Sequence, residues 1–168
     1  QLGNGLYLAK HYEDALSVRE AELAMMRRIG ASELNIIIVQ GNLASTYQIL
    51  GRDEDALPIH RDVYSGYVKL LGEEGAATLI TANNLAHSLL CLQRFEEAKS
   101  LLRKTMPVAR RVSGDCHSNT LRLRWNYARA LYMNDAATLD DLREGVTTLE
   151  ETGRTARRVL GAAHAFTE

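Results

Sequence analysis

His87 and Cys91 stand four residues apart, a spacing that brings two side chains to one face of a helix and resembles half of a tetrahedral metal site. A structural zinc needs four ligands, and no second pair is placed to complete the set, so neither metal nor cofactor is expected. Glu96 and Glu97 look like paired general acids, but neighbours in sequence point in different directions on a helix. Acidic runs recur at Glu13-Asp14 and Asp53-Glu54-Asp55, where carboxylates in a first turn favour the helix dipole by roughly 0.3–1 kcal/mol each. They read as helix starts. Gly3-Asn4-Gly5 lacks the preceding strand, the third glycine and the distal acid of a dinucleotide fingerprint, and reads as helix-packing glycine. No Ser or Cys has a visible activating context, so the chain is read as non-enzymatic.

Two other groups suit binding. Arg122, Trp125 and Arg129 recur at i, i+3 and i+7, which places them on one helical face. Arginine takes a carboxylate bidentately and tryptophan supplies a large anchor, so the trio points to an acidic peptide carrying an aromatic or Leu residue. The bland counterpart is a half-buried Trp125 with solvated or internally paired arginines. Asn42, Asn84 and Asn126 fall at equivalent positions, and Asn inside a helix needs a task because it competes for backbone hydrogen bonds. An amide accepts from one peptide N–H and donates to one C=O, so a row of them would hold an extended chain without reading its sequence. The pattern also fits amides that tie each helix to the neighbouring unit.

The elements that position these residues repeat every 42 residues: Asn42-Leu43-Ala44, Asn84-Leu85-Ala86 and Asn126-Tyr127-Ala128, in step with Gly30, Gly72 and Gly114. Each unit reads as two helices. Ala82, Leu85, Ala86 and Leu89 form one apolar stripe; after a turn at Gln93-Arg94, Ala98, Leu101, Leu102, Thr105, Ala109 and Val112 form another. The units run approximately over residues 1–32, 33–74, 75–116 and 117–163, with a further one starting at 164–168. The fourth closes at Gly161, 47 residues after Gly114, so five extra residues enter near Asn134 to Asp141. Thr138 offers an N-cap there, so the insertion lengthens the helix or its preceding loop. Pro107 lies mid-helix and is expected to bend it, whereas Pro58 lies near a helix start.

Composition sets bounds on partners. The 168 residues are 46% hydrophobic and 24% charged, as a soluble folded chain requires. Lys plus Arg number 20 against 21 Asp plus Glu, which leaves no footprint for nucleic acid or an anionic membrane. Residues 1–84 nevertheless carry a net charge of −4 and residues 85–168 a net charge of +3, a tilt able to orient a partner. Cys91 and Cys116 lack CxxC spacing and fit free thiols in a reducing, cytoplasmic compartment. No stretch resembles a signal peptide or a membrane span. The sequence opens at Gln1, inside the repeat pattern, and reads as a segment of a longer array.

Asn83-Asn84-Leu85-Ala86, Phe95-Glu96-Glu97-Ala98 and the closure ending in His117 resemble tetratricopeptide repeats of the kinesin light chain kind. There an Asn-Asn-Leu-Ala block leads to Tyr-Glu-Glu-Ala and then to Leu-Gly-x-x-His-Pro. Leu160-Gly161-Ala162-Ala163-His164 echoes that closure, while His117 and His164 are not followed by Pro, and Gly30 and Gly72 have no following His. The resemblance implies an all-α fold: a right-handed superhelical stack of antiparallel helix pairs whose leading helices line a concave groove. In this chain the groove residues would include Asn42, Ser45 and Gln48, then Asn83, Asn84 and His87, then Arg122, Trp125, Asn126 and Arg129. It further implies a scaffold that holds a peptide or protein segment. The alternative is an accessory repeat segment that positions or restrains part of a larger enzyme or signalling protein. The oligomeric state is left open, because an array end exposes apolar surface that self-association would cover.

Overall fold

The acidic runs and the glycines mark the helix boundaries. In the computed structural model, which describes residues 2–160, α2 (Tyr12–Arg28), α4 (Asp53–Leu71) and α6 (Phe95–Ser113) each start at the predicted acidic block. Their first turns hold Glu13 and Asp14, then Asp53, Glu54 and Asp55, then Glu96 and Glu97. Their last turns hold Arg27 and Arg28, then Lys69, then Arg110 and Arg111. Both sets oppose the helix dipole favourably. Gly30, Gly72 and Gly114 follow with φ of 65°, 74° and 86°, positive values that glycine adopts without steric cost.

The leading helices are α1 (Leu2–Leu8), α3 (Glu33–Ile49), α5 (Ala76–Cys91) and α7 (Ser118–Tyr132), and α8 (Leu139–Leu160) completes the last pair. No strand occurs among the described residues, as an all-α fold requires. No helix among them is long and apolar enough to cross a membrane. α4 and α6 run through Pro58 and Pro107, so neither proline ends its helix. The predicted closure at Gly161 to His164 and the further unit at 164–168 lie outside the described residues.

The helices form two compact units, Gln1–Gly72 and Glu73–Glu168. In the first, Leu16 and Leu23 of α2 pack with Val39 and Leu43 of α3, flanked by Met26, Ile36, Tyr47, Leu50 and Ile59. Gly3 is a packing glycine: a Cβ there would meet Arg19 Cγ at 3.1 Å. In the second unit α5 packs against both α6 and α7, and it is buried over most of its circumference. Leu79, Leu89 and Leu90 of α5, Leu102 of α6, and Leu121, Leu123 and Leu131 of α7 build this core.

Each pair closes through a small residue where its helices approach. Ala15, Ala56 and Ala98 are fully buried, and Gly145 takes the place in α8. The fourth-unit insertion lengthens both the loop and the helix, because α8 starts three residues before the expected block at Leu142. Thr138 and Asp141 cap that start reciprocally, with Asp141 N–H to Thr138 Oγ1 at 3.1 Å and Thr138 N–H to Asp141 Oδ2 at 3.1 Å.

Candidate protein-interaction surface

The second unit holds most of the residues that the sequence marks as candidates for binding. α5 and α7 lie side by side, joined by a buried hydrogen bond of 3.0 Å from Asn126 Nδ2 to Asn83 Oδ1. Asn126 is 4% exposed and Asn83 9%, so these two predicted contact residues meet each other and turn away from solvent. A paired buried amide avoids the desolvation cost of an unmet one, which makes this contact a register pin between successive leading helices.

Next to the pin, solvent-accessible side chains run along both helices. On α5 they are Ile80, Asn84, His87 and Cys91, at i, i+4, i+7 and i+11; on α7 they are Arg122, Trp125 and Arg129, at i, i+3 and i+7, with Met133 following at the C-cap. Each set follows one helical face, while the opposite face of each helix is in the core. Asn84 is half-buried, and its amide has no hydrogen-bond partner among the described residues. Trp125 is 41% exposed, so a large ring stands partly in water.

The arginines divide by environment. Arg124 points back into the fold and pairs with Glu151 at 2.8 Å. Arg122 and Arg129, the two in register with Trp125, pair with no carboxylate among the described residues. Arg122 and Arg129 thus flank a half-exposed Trp on one face of α7.

His87 Nδ1 and Cys91 Sγ lie 3.6 Å apart, as their spacing predicted. No cluster of three or more His, Cys, Asp or Glu able to hold a metal ion occurs among the described residues. Glu97 pairs with Arg94, and Glu96 accepts from Asn134 Nδ2 at 2.9 Å, so both acids of that run have structural partners.

In the first unit, the predicted positions lie on α3. Asn42 and Gln48 are half-buried, and the Ser45 hydroxyl donates to Gly41 O at 2.9 Å. The Asn42 carbonyl accepts from Arg19 Nη1 at 2.8 Å and from the Thr46 hydroxyl at 2.9 Å, while its side-chain amide has no partner among the described residues. Leu34, Ile38 and Ile49 are exposed on the same helix, as Ile80 is on α5. Ile38 and Ile80 take the register position that Arg122 holds in α7, so the sequence already counts them with the groove residues, whereas Leu34 and Ile49 lie outside that set.

Tetratricopeptide repeat models match residues 77–138 and 39–76, which together span more than half of the sequence. The chain is a tetratricopeptide repeat protein. Its fold is similar to that of a Podosopora anserina protein described as a kinesin light chain with nearly identical tetratricopeptide-like repeats. Two crystal structures of that protein, one of them a single-substitution variant, match at TM-scores of 0.81 and 0.80. Identity is 22% in both, over 99% of this chain and 76% or 77% of the other. BtubC (BKLC) from P. vanneervenii matches at a TM-score of 0.75 and 16% identity, over 94% of this chain and 60% of that one. None of the curated proteins matches significantly in sequence. Tetratricopeptide arrays are interaction scaffolds rather than typical enzymes, and that is the class of this protein.

Proposed function

We propose that the exposed stripes of α5 and α7 hold a peptide segment rich in Asp or Glu and carrying one large apolar side chain. Arg122 and Arg129 pair with its carboxylates, Trp125 covers the apolar residue, and Asn84 and His87 meet its backbone or polar groups. Asn83 and Asn126 position this face by pinning the two helices together. In the first unit, Asn42, Ser45 and Gln48 offer a similar polar edge beside Ile38. The 42-residue register from Asn42 to Asn126 supports a single repeat array along the chain, acting as a cytoplasmic scaffold.

The observation that carries the reading is a half-exposed Trp flanked by two arginines that pair with no carboxylate among the described residues. An immobilised peptide library varying charge and aromatic content tests it. Acidic peptides should bind best, and affinity should fall with added salt because exposed charges are screened over about 8–10 Å at 0.1–0.15 M. Trp125→Ala should weaken binding by about 2 kcal/mol or more, roughly thirtyfold. A library in which neutral peptides bind as tightly as acidic ones would sink the reading.

A further inference from the structure

Arg110-Arg111-Val112-Ser113 ends α6, and the chain leaves the helix at Gly114. We propose that Ser113 is a phosphoacceptor for a basophilic serine/threonine kinase, an enzyme that reads a hydroxyl by basic side chains two and three residues before it. No other Ser or Thr in the chain has arginine at both positions. The acidic pocket of such a kinase is matched by two guanidinium groups, each a strong charge-assisted donor.

The structure makes this motif accessible. Ser113 is exposed, and its hydroxyl bonds to no described residue. Arg110 pairs with Asp115 at 2.6 Å and Arg111 with Glu74 at 2.5 Å, but all four side chains are about half exposed or more. Exposed pairs of this kind are weak and exchange readily with solvent. A kinase takes its substrate as an extended segment, and a terminal helical turn is where opening costs least. The positive φ of Gly114 already turns the chain out of the helix, into an exposed stretch at Asp115, Cys116 and His117.

In the transfer, Ser113 Oγ attacks the γ-phosphorus of magnesium-bound ATP. The bond from that phosphorus to the bridging oxygen breaks, ADP leaves, and the hydroxyl proton passes to the base of the kinase. The product places about two negative charges at the negative end of the α6 dipole, which loosens the last turn. It also competes with Asp115 for Arg110, whose two hydrogen bonds to that carboxylate, at 2.6 and 3.3 Å, tie α6 to the loop before α7. Phosphorylation therefore frees the α6–α7 connection.

The test incubates the whole chain with Mg-ATP and the catalytic domain of a basophilic kinase, and maps the product by mass spectrometry. The expected result is one phosphoryl group on Ser113, absent in Ser113→Ala. Its rate should fall at least about tenfold in Arg110→Ala and in Arg111→Ala, since each variant loses a hydrogen-bonded charge. Amide exchange across 110–117 should quicken after modification. Ser113 left unmodified in the folded chain overturns the proposal, even if a short peptide of the same sequence is modified. So does labelling indifferent to both arginines. Unchanged exchange would overturn the loosening.

Discussion

Four residues after the buried Ala that starts each trailing helix, α2 places Arg19 and α6 places Leu102, and both are buried, at 4% and 0% exposure. The Arg19 guanidinium needs a shell of partners: Asn42 O at 2.8 Å, Asn4 Oδ1 at 2.9 Å, the Thr46 hydroxyl, and the Tyr7 ring 4.8 Å from its centre. Its Nε is still buried without a hydrogen-bond partner among the described residues, and burial pulls its pKa below the usual value. Leu102 needs only apolar neighbours. The polar contacts of the α6–α7 joint lie at its edge, where Tyr127 accepts from Arg103 Nε at 2.8 Å and donates to Glu144 at 2.7 Å. One repeat geometry thus tolerates a buried cation where α1 and α3 surround it with acceptors, and a plain aliphatic core where none are offered.

Exchanging these residues is the hardest way to break the comparison. Leu102→Arg buries a guanidinium where no equivalent shell exists, and should cost about 4 kcal/mol or more in urea denaturation. Arg19→Leu should cost less, about 1–3 kcal/mol, because stranding the acceptors of Asn4, Asn42 and Thr46 is partly offset by removing a desolvated charge. Equal losses at both sites would refute the contrast. Tyr127→Phe should cost about 1–2 kcal/mol by removing the hydroxyl between Arg103 and Glu144. Tyr47→Phe should cost less, because its bond to Glu20 is exposed to solvent.

Gly145→Ala should raise stability by about 0.5–1 kcal/mol, since glycine inside a helix is unfavourable. The added Cβ would lie 3.5 Å from Leu131 Cβ, an ordinary contact, so a lowered melting temperature would show the α7–α8 approach to be tighter than described. The smallest effect is electrostatic. Lys99, 2.6 Å away, and then Thr138 hold the Asp141 carboxyl below its usual pKa of 3.8. A depressed carboxylate contributes stability at neutral pH that is lost as pH falls below that value. Melting followed through acid should therefore decline less steeply in Asp141→Asn than in the parent.

The trailing-helix starts at Tyr12, Asp53 and Phe95 were legible because charge and glycine punctuate them, and the 42-residue period disclosed which positions are equivalent. Orientation was not. Asn83 and Asn126 meet across 43 residues of sequence, so only the packed helices reveal that the amides face each other. A charged Arg19 in an amphipathic helix reads as solvent-facing, and its burial depends on acceptors from α1 and α3 that no local pattern announces. The 42-residue register placed Ile38 and Ile80, but Leu34 and Ile49 were ambiguous: an apolar residue on a helix has the same letter in a core and on an exposed face.

The division of labour between neighbouring asparagines is the most direct test of the account. Affinity for the tightest acidic peptide and thermal melting should be measured together on Asn84→Ala and Asn126→Ala. Asn126→Ala should lose about 1–3 kcal/mol of stability by stranding the Asn83 amide, while Asn84→Ala should melt like the parent and bind more weakly. An Asn84→Ala protein with undiminished affinity would contradict that division.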